Sequence, residues 1–337
     1  MQSLLSIRDL KVHFPVHGGL FLKQLGTIRA VDGVSLDIAP GETLGLVGES
    51  GCGKSTLGKA IVRLLEPTQG TVEFDGRDIT KSSRRSLQPV RRDLQMVFQD
   101  PVESLNARHS VREIIEEPLI IHRIGNAAAR RKRVDHLLER VGLPKGAADK
   151  YPFEFSGGQR QRIGIARAIA LDPKLIICDE PVSALDVSVR SQVLNLLLEL
   201  QRDLGLSYLF ISHDLAVVKH VSDRVAVMYL GKLVEVAPAA KIYREPRHAY
   251  TKALLSSIPE PDPSIQRPRV KLEGDVPSPF NPPAGSAFGH RIHHPRYDET
   301  VGKELPLIEI DPGHWVAADP CCLSEEDWRK IQSDRGL

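Results

Sequence analysis

Short apolar runs separated by turn residues fill the first third of the chain: LLSIRDLKVHF, VSLDI, TLGLVGES, TVEFDG and LQMVF, between Leu4 and Val97. Pro40-Gly41 and Asp75-Gly76 punctuate them, so this third is predicted to be β-rich with one strand-loop-helix unit. From about Ser104 to Lys150 the spacing becomes helical, in VREIIEEPLIIHR and RRKRVDHLLERVGL, and predicts a helical insertion ending at the Leu143-Pro144 turn. Residues 158–230 then alternate helical and strand patterns, from GQRQRIGIARAIAL through KLIICDE and SYLFISHD to RVAVMYLG. Strands alternating with helices predict an α/β fold whose parallel sheet is covered on both faces. Beyond Ala237 the proline-rich stretch IPEPDPSIQRPRVKLEGDVPSPFNPPAG excludes a regular helix or central strand. It predicts an extended tail over a surface, or a linker to a small terminal module.

Composition narrows the partners more than the fold. Lys and Arg total 45 against 43 Asp and Glu, and a net charge of +2 exerts no global pull on nucleic acid or anionic lipid. The cluster Arg130 to Arg133 sits in a predicted helix beside apolar positions and reads as a solvated helix face. No basic start leads into an apolar stretch, and no run of about 18 uncharged apolar residues occurs, so neither export nor membrane spanning is expected. Cys52, Cys178, Cys321 and Cys322 form neither a disulfide framework nor a CxxC knuckle, as expected of a chain in a reducing cytoplasm.

The first chemistry lies at Gly48 to Ser55, GESGCGKS, which follows the apolar TLGLV and precedes the helical TLGKAIVRLL. In that context G-x-x-x-x-G-K-S is a phosphate-binding loop, because glycines let backbone N–H groups approach phosphate and the following helix offers its positive end. Gly48, Ser50, Gly51, Gly53, Lys54, Ser55 and Thr56 are the nucleotide-binding candidates. Lys54 is expected to reach the β and γ phosphates, and Ser55 to offer Mg²⁺ a hydroxyl. Kinases, GTPases and many ATPases share this loop, so the reaction depends on other residues. LIICDE, Leu175 to Glu180, is an apolar strand ending in two carboxylates: Asp179 suits Mg²⁺ and Glu180 suits a base for the attacking water. A buried strand that merely ends in acidic turn residues explains the pair equally well.

The chain also carries FSGGQRQR at Phe155 to Arg162, Gln99 after an apolar strand, SALD at Ser183 to Asp186, and His213 in LFISHD. Together with the phosphate loop these resemble the ABC ATPase family, motif by motif and in order, over about residues 4–235. The resemblance implies a P-loop NTPase of ABC type, with a β-rich ATP-binding subdomain, a helical subdomain at about 104–160 and a C-terminal extension. It places the ATPase domain at 4–258 and a proline-rich, oligopeptide-transporter-type extension at 259–337. It implies ATP and Mg²⁺ as cofactors, Glu180, His213 and Gln99 as catalytic residues, and Ser55, Gln99 and Asp179 around the metal. Ser156 and Gly158 are expected to face ATP bound on another chain, with Asp186 at the same interface. An aromatic from the first strands commonly stacks on adenine, for which Phe14 is the choice and Phe21 its competitor.

The tail segments RHAYTKALLSSIPEPDP, LEGDVPSPFNPPAG and PGHWVA resemble the extension of peptide-importer ATPases, and the chain looks like the second of their two ATPase subunits. The resemblance implies two integral-membrane permease subunits, a second homologous ATPase subunit, and an extracytoplasmic solute-binding protein reached through the complex. A heterodimer is favoured over a homodimer, peripheral on the cytoplasmic face of the inner membrane, without nucleic acid as a partner. The competing expectation is a soluble ABC ATPase acting on nucleic acid or ribosomes, which usually has two cassettes or a long coiled coil. Relatives often bind an iron-sulphur cluster in this tail, but the matching positions here are Ser286, Ile292 and Ala318, so no cluster is expected. His290, His293 and His294 read as a surface loop, lacking carboxylate or thiol partners for zinc.

Overall fold

A computed structural model describes residues 3–18, 23–100, 104–258 and 275–335. Phe21 and the proline-rich residues 259–274 lie outside the described residues. In chain order the described strands are β1 (Leu5–Gly18), β2 (Lys23–Ile38), β3 (Thr43–Val47), β4 (Gln69–Phe74), β5 (Arg77–Asp78), β6 (Leu94–Val97), β7 (Leu175–Asp179), β8 (Ser207–Ser212), β9 (Arg224–Tyr229), β10 (Lys232–Pro238), β11 (Leu307–Asp311) and β12 (His314–Ala317). The described α-helices are α1 (Lys54–Ile61), α2 (Leu87–Asp93), α3 (Val111–Ile121), α4 (Ala127–Arg140), α5 (Gly157–Ala168), α6 (Val187–Leu204), α7 (Leu215–Val221), α8 (Ala239–Arg244), α9 (Ala249–Ser256), α10 (Ala287–Arg291) and α11 (Glu325–Arg335). The backbone forms two compact units that interleave along the chain. The first comprises Met1–Leu5, Ile38–Thr43 and Phe74–Ile211, and the second Ser6–Asp37, Leu44–Glu73 and Ser212–Leu337.

In the first unit β6, β7 and β8 run parallel, with Leu94 opposite Leu175 and Leu175 opposite Ser207. Every residue of β7 and β8 is buried. Strands covered on both faces need continuous apolar runs, which is why LIICD and SYLFIS show no alternation. The helical insertion forms as α3 and α4. Helix α3 starts at a capping box: Ser110 Oγ accepts from Glu113 N, and the Glu113 carboxylate accepts from Ser110 N. It buries Val111, Ile114, Ile115 and Leu119, one stripe at helical spacing. In the basic cluster Arg130 pairs with Glu116 and Arg133 with Asp172, while Arg131 and Lys132 are exposed.

In the second unit β2, β1 and β4 lie side by side, and β3 pairs in parallel with β9. Strand β10 runs antiparallel to β9 with an irregularity between Leu233 and Glu235, β12 pairs with β10, and β11 with β12. The described tail therefore adds a β-hairpin to the strands of this unit. Its hairpin turns at Pro312-Gly313 and extends a sheet, and its core gathers Ile308, Ile310, Val316, Ala318 and Ile331 beneath Leu323 and Trp328.

Candidate functional site

Buried β3 delivers the chain to the phosphate loop, and α1 begins at Lys54. Gly53 turns into the helix at a φ of 109°, where a Cβ would lie 2.0 Å from the Ala30 carbonyl oxygen, so only glycine fits. The Lys54 side chain is buried, and its Nζ donates to the carbonyl oxygens of Gly48 at 2.8 Å and Glu49 at 3.0 Å. The ammonium is thereby held over the loop while Ser55 and Thr56 stand, half-buried, in the first turn of α1. Burial raises the Cys52 thiol above its ordinary pKa, keeping it a neutral wall of the loop.

His213 and Phe14 belong to the same unit. His213 follows β8 and is exposed, so it is not a packed core histidine, whereas Asp214 beside it caps α7 by accepting from Ala216 N and Val217 N. Phe14 lies on β1 and is 38% exposed.

The carboxylates lie in the first unit. Strand β7 ends at buried Asp179, and Glu180 follows with a left-handed φ of 46°. Holding a non-glycine residue there costs about 1–3 kcal/mol, a strain that concentrates at functional positions. Glu180 N donates to Ile211 O at 3.0 Å, and its Oε2 accepts from Gln99 Nε2 at 3.1 Å. The structure thus joins two of the predicted catalytic side chains directly.

Ser156 caps α5 in a reciprocal box: its Oγ accepts from Gln159 N, and its own N–H donates to Gln159 Oε1. The next turn lies close to α6, since a Cβ on Gly158 would meet Val189 Cγ1 at 2.2 Å. Asp186 occupies the N-cap position of α6, its carbonyl accepting from Arg190 N and its side chain making no capping bond. SGGQ and SALD, separate in sequence, are therefore packed neighbours.

The tail holds contacts that sequence reading missed. Arg291 of α10 forms a two-point ion pair with Glu49 of the phosphate loop, and Tyr250 of α9 accepts from Glu49 N. Buried His248, Asp319 and Cys322 bring one potential ligand atom each within 4.8 Å of one another. His248 Nδ1 accepts from Tyr250 N, Ser286 Oγ donates to Asp319, and burial raises the Cys322 thiol and lowers the His248 imidazole. One imidazole, one carboxylate and one thiol do not make a four-thiolate cluster site. His290 and His293 are exposed, and His294 is half-buried.

Compared with known proteins, residues 31–183 match the family model described as ABC transporter, and residues 234–295 that described as oligopeptide/dipeptide transporter, C-terminal region. The chain is similar to the oligopeptide transport ATP-binding protein AppF of Bacillus subtilis (strain 168), at 52% identity over 320 residues, 94% of this chain and 97% of that protein. It is 52% identical over 317 residues to the glutathione import ATP-binding protein GsiA of Salmonella paratyphi A, covering 94% of this chain and 48% of that protein. Among solved structures it resembles a dimeric, post-hydrolysis ATP-binding cassette bound to ADP and Pi. That likeness has a TM-score of 0.63 and 29% identity, and covers 70% of this chain and 98% of that one.

Proposed function

The chain belongs to the ABC transporter ATP-binding family, and from that premise we propose that it energises import of peptides or related small solutes. It binds nucleotide, and its ATPase activity is coupled to transport. The carrying observation for the cargo class is the combined match to the cassette and to the oligopeptide/dipeptide transporter C-terminal region, in a chain half identical to an oligopeptide transport protein.

In this reading Lys54 and the loop's backbone N–H groups hold the phosphates by charge-assisted hydrogen bonds. Glu180 accepts the proton of the attacking water, and the Gln99 amide orients its carboxylate through the 3.1 Å bond without neutralising it. His213 contacts the γ-phosphate, and Phe14 stacks on the adenine. The Ser55 hydroxyl and Asp179 carboxylate are hard oxygen donors of the kind Mg²⁺ takes, and that ion, when bound, offsets phosphate charge. Ser156 and Gly158 serve the nucleotide of a second cassette, with Asp186 beside them.

The assembly would comprise two permeases, a homologous ATPase partner and an external binding protein, with this chain peripheral on the cytoplasmic side. The solved cassette that this chain resembles is dimeric, which favours a paired arrangement. The relatives' names lend nothing to the nucleic-acid alternative. Affinity purification of the tagged chain from its native membranes, with mass spectrometry, tests the reading. Two multi-spanning permeases and a second ATPase are expected, whereas ribosomal proteins or nucleic acid in their place would overturn it.

A further inference from the structure

Glu49 lies within the phosphate loop, and all three of its polar groups are engaged. Its carbonyl oxygen accepts from Lys54 Nζ at 3.0 Å, its N–H donates to Tyr250 Oη at 2.9 Å, and its carboxylate takes Arg291. The Arg291 contact is a fork: Nη1 donates to Oε2 at 2.7 Å and Nη2 to Oε1 at 3.2 Å. Arg291 is 242 residues away along the chain, and its side chain is only 7% exposed. A buried planar guanidinium meeting a carboxylate at two points fixes orientation as well as distance, unlike a surface ion pair. The tyrosine is equally constrained, because Tyr250, Tyr229 and Phe288 pack at ring distances of 4.5 to 5.6 Å. Tyr250 and Arg291 both fall in the region matched by the oligopeptide/dipeptide transporter model.

We infer that the C-terminal extension is a built-in brace of the nucleotide site, in which Arg291 and Tyr250 hold Glu49 and so position Lys54 for the phosphates. Arg291 is a positioning residue: it touches the loop and acts on nucleotide through Glu49 and Lys54. Without the fork, Glu49 gains side-chain freedom, and the carbonyl that anchors Lys54 is no longer held from outside the loop. The extension thereby contributes to ATP affinity as well as to stability. This rests on the phosphate-loop reading above, and the test separates the two.

MgATP binding is measured by titration calorimetry, and melting temperature by thermal scanning, on the full chain and on Arg291→Met, Glu49→Gln, the double variant, Arg291→Lys, Arg247→Met and Lys54→Ala. Arg247 forms ion pairs to Asp311 and Asp327 in the same extension and touches neither Glu49 nor the loop. Arg291→Met is expected to weaken MgATP binding about three- to tenfold, as coupled neighbours do. Glu49→Gln should match it, the double variant should be no worse than either, and Arg291→Lys should recover part of the loss. Arg247→Met should lower the melting temperature with affinity intact. Unchanged affinity in Arg291→Met would overturn the brace, as would affinity that simply follows melting temperature across the Arg291 and Arg247 variants. If Lys54→Ala binds MgATP normally, the phosphate-loop reading itself fails and takes the brace with it.

Discussion

At the scale of single residues, the proposed chemistry rests on side chains whose positions are over-determined. Glu180 sits in a left-handed backbone conformation, is anchored through its N–H to Ile211, and receives the Gln99 amide on its carboxylate. In the proposed reading Glu180 is the base, and a carboxylate held this way needs no reorganisation when water attacks. Replacing it by Gln keeps the shape and the phosphate loop but removes the proton acceptor. Glu180→Gln is therefore expected to bind MgATP normally while lowering ATP turnover of the assembled complex by about 10²- to 10⁴-fold. Steady-state hydrolysis alongside nucleotide binding checks this, and near-normal turnover would remove Glu180 from the base role.

Among elements, the junction of β10, β12 and α9 depends on one carboxylate. Glu235 is fully buried and accepts from the backbone N–H groups of Arg247 and His248, while His314 Nε2 lies 2.8 Å from its Oε1. Burial alone raises a carboxyl's pKa, but bonds from His314 and those two amides outweigh it and hold Glu235 below its usual range. A carboxyl with a lowered folded-state pKa stabilises above its unfolded value near 4.5, and that stability is lost as pH falls through the lower folded value. Glu235→Gln should cost about 1–3 kcal/mol at neutral pH, because it weakens charge-assisted bonds at a buried site. It should also flatten the acid limb of the stability profile below about pH 4.5. Chemical denaturation across that range provides the check, and an unchanged acid limb would refute the linkage.

For the whole molecule, the extension completes a sheet as well as bracing a loop. No helix among the described residues is long and apolar enough to cross a membrane. Within the second unit, β12 covers one edge of β10, and that edge would otherwise offer unpaired N–H and C=O groups. Ending the chain after Ile258 removes β11, β12 and α11 together with His314 and Arg291. The truncated chain is expected to give a lower soluble yield and a lower melting temperature, measured by fractionation and thermal scanning. Full solubility and an unchanged melt would mean that the extension is dispensable for the fold.

The sequence by itself determined the α/β class, the helical insertion and the order of the motifs. Each was legible because it rests on local patterns: Val111, Ile114, Ile115 and Leu119 at helical spacing, unbroken apolar runs in β7 and β8, and glycines before Lys54. The hairpin of β11 and β12 was legible in principle, since Ile308, Ile310 and Val316 alternate about Pro312-Gly313, but the proline-rich stretch before it suggested irregular structure. Only the tertiary structure decided that Gln99 reaches Glu180, that Gly158 admits Val189, and that Arg291 grips Glu49. The physical reason is the same throughout. Local periodicity sets which face of an element is buried, whereas a contact across 81 or 242 residues depends on how folded elements meet, and no short window of sequence encodes that meeting.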